Sequence, residues 1–211
     1  VIRALFLFLA IFSSSAVLAQ HPATCRIVNP VKETEEGFIA STGTGTLLAR
    51  TETHGIVVTC AHVVDDCLEG KNPIVIFPNG FKSKAIVAKS DTDSDIAVLL
   101  IVRPDIEPLE WSPDAVKIFE SLTVCGYDGG AGLENWDEKT GLCRAYLVTA
   151  LDRPQDMFTV DVLARHGDSG GPVFDDEGHY VGMAKAIHEE DHMTLVIHAS
   201  MIEPFVIEYI E

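Results

Sequence analysis

The chain has 211 residues and a formal net charge of −17, with 32 acidic against 15 basic side chains. A surface this acidic repels nucleic acid and anionic membranes, which disfavours both as partners. The length suits one domain or two small sub-domains, with room for a packed core.

Arg3 precedes an apolar run over residues 4–12 and a small-residue stretch ending at Ala19, the pattern of a signal peptide cleaved after Ala19. The run is short for a membrane span, the alternative being an uncleaved N-terminal anchor. No later stretch is a transmembrane candidate, because the apolar run 96–102 is strand-length and bounded by Asp95 and Arg103. The expected location is therefore secreted, extracellular or periplasmic, with no membrane span after signal removal. Five cysteines follow the signal, and an oxidising compartment predicts two disulfides with one thiol left over. Cys60 and Cys67 bracket His62, and Cys125 and Cys143 fall on neighbouring strands; connectivity stays open.

An irregular, charged leader is expected over 20–37. Strand-like segments follow at 38–50, 55–61, 73–77, 81–89 and 95–102. After a proline-dotted connection over 104–113 come further strands at 121–127, 142–151, 157–164, 172–174, 179–187 and 194–199. Ile202, Phe205, Val206 and Ile210 predict a short amphipathic helix at the end. Many short strands, little helix and one central linker predict an all-β protein of two packed barrels or sandwiches.

Three segments carry chemistry. Gly167-Asp168-Ser169-Gly170-Gly171-Pro172 is a serine on a tight glycine turn, where main-chain N–H groups converge on one point. Val57-Val58-Thr59-Cys60-Ala61-His62 is a buried strand ending at a histidine, a rigid mount for a general base, although a lone histidine there is more often structural. Asp95 stands at the mouth of the apolar strand 96–102, where a carboxylate holds an imidazole tautomer; Asp91 and Asp93 read as solvated turn residues.

Together these segments resemble the chymotrypsin-fold, trypsin-like serine peptidases. Thr59-Cys60-Ala61-His62 stands at the family's T-A-A-H element, Asp95-Ile96-Ala97-Val98-Leu99 at its D-I-A-L element, and the serine motif is unchanged. Gly43-Thr44-Gly45-Thr46-Leu47-Leu48 is similar to its G-S-G-x-L-I strand and Val124-Cys125-Gly126-Tyr127 to its V-x-G-[WY]. The resemblance implies two six-stranded antiparallel β-barrels with a short C-terminal helix. It divides the chain into a signal at 1–19, an N-terminal barrel at 20–110, a linker at 111–120 and a C-terminal barrel with the helix at 121–211. It also implies a secreted endopeptidase acting on polypeptides without a cofactor or metal. Ser169 is then the nucleophile, His62 the base and Asp95 the orienting acid, with Gly167 and Ser169 N–H groups as the oxyanion hole.

Within the family, Asp168 pairs with a buried positive group. Arg26-Ile27-Val28-Asn29-Pro30 is close to a zymogen cleavage site, cut after Arg26 to free the Ile27 amine, but Pro30 stiffens the segment. The later half looks more like the high-temperature-requirement type, which needs no such cut, here without its PDZ domain. Cys143 also matches a position bridged to the N-terminal segment in some trypsins, which would recruit Cys25. The implied substrate pocket has Leu163 at its base, Ala164 beside it, and Ala184 and Lys185 in its wall. An apolar base favours a small or medium apolar side chain, whereas Lys185 or His198 reaching in would favour an acidic one.

Two rival readings remain. His188-Glu189-Glu190-Asp191-His192 matches the H-E-x-x-H of zinc proteases, but strands flank it on both sides and the motif needs a helix. A catalytically silent binding protein on this fold would usually lack a triad member, and here all three are present.

Overall fold

The computed structural model describes residues 20–112, 114–129, 133–149, 155–188 and 192–210. The expected signal segment and its cleavage point lie outside them. The segment expected as an irregular leader instead opens the fold with β1 (Thr24–Thr34). Its first half is buried because it runs between β2 (Gly37–Arg50) and β4 (Ile74–Ile76), pairing antiparallel with both. The charges that give the segment a leader-like look, Lys32, Glu33, Glu35 and Glu36, are exposed around the turn into β2.

The N-terminal sheet adds β3 (His54–Thr59), β5 (Lys82–Lys84), β6 (Ile86–Asp91) and β7 (Ile96–Val102), in the order β5-β4-β1-β2-β3-β7-β6. It has seven strands and stays open. The C-terminal half closes into a barrel of β8 (Ser121–Tyr127), β9 (Trp136–Thr149), β10 (Gln155–Val160), β11 (Pro172–Phe174), β12 (Tyr180–His188) and β13 (Met193–His198). The helix α1 (Ala199–Ile207) follows directly.

The expectation of a double barrel is thus corrected. Sequence patterning read 81–89 as one strand, but Ala85 breaks it into β5 and β6. A single residue is too short for a hairpin, since even the tightest connections use two, so the strands on either side of Ala85 cannot fold back and pair. They become the two free edges of the sheet. A side chain ties β5 to β7 instead, with the Ser83 hydroxyl accepting the Val102 N–H at 3.2 Å.

The expected disulfides are also absent: all five cysteines are free thiols. In the β8–β9 ladder Cys125 faces Glu138, while Ser121 already faces Leu142. Cys143 is therefore about five residues further along, roughly 17 Å at about 3.4 Å per residue, beyond the reach of a bridge. Cys60 is fully buried against the Ala184 carbonyl, whereas the Cys67 thiol points to the Lys71 carbonyl in a surface loop. Cys25 and Cys143 belong to different apolar clusters.

The larger apolar cluster runs from the open sheet through Phe174, Tyr180 and Met183 to Ile202 and Val206 of α1, so the two halves share a core. The smaller one fills the closed barrel around Leu122, Phe158 and Val181. Among the described residues no helix is long and apolar enough to cross a membrane.

Candidate active site

β3 delivers the chain to a 3-10 turn at Ala61–Val63, which carries His62. Asp95 lies just before β7, at φ +58, in the left-handed region that Asp enters more readily than most residues. That conformation turns the carboxylate back onto the 3-10 turn. His62 Nδ1 is 3.0 Å from both Asp95 oxygens, and the His62 N–H donates to Oδ1 at 3.1 Å. The Ala61 N–H also donates to the Asp95 carbonyl at 3.2 Å, so backbone and side chain lock the pair together. Burial alone would raise the Asp95 carboxyl. The hydrogen bonds from the His62 ring and backbone, with the charges of His62 and Lys185, outweigh it and hold the group below the ordinary carboxylate range.

Ser169 comes from the other half, on the turn leading into β11. Gly167 has φ +107 and a β-carbon there would strike the Tyr127 carbonyl, so only glycine fits. Among the described residues neither the Gly167 nor the Ser169 N–H is engaged in a hydrogen bond. The Ser169 hydroxyl donates to the Lys185 carbonyl at 3.3 Å.

Thr44 of β2 straps this turn to the open sheet. Its hydroxyl donates to the Gly167 carbonyl at 2.7 Å and accepts the Tyr127 N–H at 3.0 Å, while its own N–H donates to the Ser169 carbonyl at 2.9 Å. The sequence singled out the Gly43-Thr44-Gly45 block but not this strut. Lys139 of β9 was missed altogether: its ammonium is 2.8 Å from Asp168 Oδ2 and 2.8 Å from Asp137. It supplies the buried positive group, while Arg26 does something else. Arg26 is fully buried near the start of β1, donating to the Tyr127 and Gly129 carbonyls at 2.8 and 3.0 Å. The neighbouring Ile27 is laddered on both sides, so the bond after Arg26 is not presented for cleavage.

The expected pocket residues separate. Leu163 and Ala164 border a cavity of about 650 Å³ whose other walls include Asp128, Arg165, His166 and His192. Lys185 turns instead toward Asp95, with Nζ 3.9 Å from Oδ2. His198 forms the N-cap of α1, its Nδ1 accepting the Ser200 N–H at 3.1 Å. Ala184 is buried and its N–H donates to the Gly171 carbonyl at 2.9 Å.

Metal ligation has one candidate among the described residues: Cys60, His62 and Asp95 offer ligand atoms within 4.8 Å of one another. Both Asp95 oxygens already meet His62, and the Lys185 ammonium opposes a cation there. The H-E-x-x-H motif spans the hairpin between β12 and β13, with Glu189, Glu190 and Asp191 outside the described residues. Its two histidines therefore do not share a helix face.

Comparison with known proteins agrees with this geometry. Residues 43–183 match the family model described as the trypsin-like peptidase domain. A Mycobacterium tuberculosis serine protease, Rv3671c, is 27% identical over 134 residues, covering 60% of this chain and 32% of its own length. A probable periplasmic serine endoprotease of the DegP-like type from Halomonas elongata is 27% identical over 154 residues, covering 70% of this chain and 30% of its own. The chain thus spans about a third of the length of these relatives. Among solved structures, a serine endoprotease from Yersinia pestis superposes with a TM-score of 0.75 at 20% identity, over 90% of this chain and 63% of the other. The active form of the Rv3671c protease gives 0.71 at 22% identity, over 87% and 79%. With the serine turn, the His62–Asp95 pair and two-thirds of the sequence in agreement, this chain belongs to the trypsin-like peptidase domain family.

Proposed function

We propose that the chain is a secreted serine endopeptidase that hydrolyses polypeptides through an acyl-enzyme on Ser169. The observation that carries the reading is the His62–Asp95 pair, with Nδ1 3.0 Å from both carboxylate oxygens, in the same protein as a glycine-framed serine with two uncommitted N–H groups. The names of the relatives, serine protease and periplasmic serine endoprotease, support the activity and the exported location.

In this mechanism the Ser169 hydroxyl turns from the Lys185 carbonyl toward His62 and attacks the scissile carbonyl carbon. The proton passes to His62 Nε2, and Asp95 holds the Nδ1 proton and stabilises the imidazolium. The Gly167 and Ser169 N–H groups receive the oxyanion, a contribution worth about 10²–10³ in rate per donor. His62 then protonates the leaving amine, and water reverses the sequence to free the acid. Leu163 and Ala164 favour a small or medium apolar side chain before the cut bond.

The test is labelling of the purified protein with a fluorophosphonate probe, with and without a metal chelator, followed by mass mapping. Label on Ser169 that is insensitive to chelator and absent from Ser169→Ala is the expected result. Hydrolysis that survives Ser169→Ala, or that a chelator abolishes, overturns the reading.

A further inference from the structure

Lys185 touches both ends of the site. β12 and β13 pair in register up to Ala184 opposite Val196, then resume with Ala186 opposite Leu195, so Lys185 is the extra residue of a β-bulge. A bulge twists its strand and re-aims the side chain it carries. Here the carbonyl of the bulged residue receives the Ser169 hydroxyl at 3.3 Å, and its ammonium lies 3.9 Å from Asp95 Oδ2. The alternation of β12 alone would have kept Lys185 in register with its neighbours.

The charges around Asp95 are few. From the 3-10 turn come His62 and, just before it, Cys60, a fully buried thiol pushed up by burial first and by Asp95 second, hence neutral. Tyr180 of β12 is fully buried and its phenol is raised by burial, so it too is neutral. Asp91, on the same turn as Asp95, directs Oδ1 to the N–H groups of Asp93 and Ser94. Asp168, beside Ser169, is paired with Lys139. Among the described residues, the cationic groups that meet Asp95 are thus the His62 imidazolium, when it forms, and the Lys185 ammonium, which is only 22% exposed.

We infer that Lys185 is a positioning residue for the proposed reaction: its carbonyl holds the Ser169 hydroxyl while its ammonium shares the Asp95 carboxylate with His62, so that Lys185 sets how strongly Asp95 draws charge onto the imidazole. The physical reason is competition. A lone carboxylate favours the imidazolium, whereas a carboxylate already facing an ammonium favours it less, and the ammonium repels it directly.

This inference rests on the serine endopeptidase reading, and one experiment separates the two. The rate of fluorophosphonate labelling at Ser169 is measured from pH 4.5 to 8.5 for the wild type, K185M, K185Q and K185R, with thermal melting as a check of folding. In both neutral variants the acidic limb of labelling is expected to move up by about one pH unit, the order of effect of removing one charge that faces the carboxylate of a hydrogen-bonded pair, while K185R keeps the wild-type limb. An unmoved limb in folded K185M and K185Q overturns the inference and leaves the serine mechanism standing. Failure of both neutral variants to fold also overturns it, in favour of a purely structural lysine. Absence of label from the wild type at every pH overturns the endopeptidase reading itself.

Discussion

The Lys139 ammonium lies 2.8 Å from Oδ2 of Asp168, a carboxylate with no solvent exposure that immediately precedes Ser169. The same oxygen accepts the Arg165 N–H at 2.7 Å, so one ion pair and one backbone bond shape the approach to the serine turn. No liberated amine is needed for this, because a side chain from β9 occupies that role.

Lys139→Met is therefore expected to leave a buried charge unpaired and to cost about 3 kcal/mol, the lower end for breaking a buried pair because Lys139 keeps some exposure. Urea denaturation and Ser169 labelling both read the loss, and adding Asp168→Asn should recover part of the stability but not the labelling. Burial alone would lower the Lys139 ammonium, but its bonds to Asp137 and Asp168 leave it raised. Its contribution is thus complete below the ordinary lysine value of about 10.4 and is lost only as pH rises through the higher native one. Equal denaturation midpoints for wild type and Lys139→Met at pH 7 would refute the argument.

Thr44→Val keeps the shape of the strut but removes its hydroxyl, stranding the Gly167 carbonyl and the Tyr127 N–H. Each buried orphan costs about 1–3 kcal/mol. Labelling of Ser169 is expected to slow at least tenfold, and Thr44→Ser should restore it. Full reactivity in Thr44→Val would mean that the turn holds its geometry unaided.

Asp95→Asn is expected to lower hydrolysis by about 10⁴ by presenting the wrong imidazole tautomer. Because the native Asp95 carboxyl is held below its ordinary range, the stabilisation it provides is present above about pH 3.9 and fades as pH falls through the native value. The melting temperatures of wild type and Asp95→Asn should therefore differ at pH 7 and converge as the solution is acidified below about pH 4. A constant gap would assign the difference to packing.

The thiols give an independent check. Without reductant, a thiol titration in denaturant should find five free cysteines, and in the native protein an alkylating agent should modify Cys67 first. Cys25, Cys60, Cys125 and Cys143 are buried, and burial raises their thiols, that of Cys143 to about 11. Fewer than five thiols would reinstate a disulfide.

Most strands were legible because their apolar runs and bounding turn residues are local features. β2, β7, β8 and β11 lie within one residue of the expected segments. β1 was not, since Lys32, Glu33, Glu35 and Glu36 mask a buried half that only its two partner strands explain. The split at Ala85 was equally hidden, because 81–89 looks like one strand until the chain turns a corner. At the site, His62, Asp95 and Ser169 announce themselves through motifs, whereas Thr44, Lys139 and Lys185 act through partners far along the chain.

By itself the sequence determined the strand-rich architecture, the family resemblance and the three residues proposed for chemistry, because each depends on a short stretch with its own pattern. Only the tertiary structure decided that one half closes while the other stays open, that the thiols remain apart, and that Lys139 and Lys185 approach Asp168 and Asp95. Those outcomes depend on ladder register and on a bulge between distant strands, and charge meeting charge across 29 or 90 residues leaves no local trace in the chain.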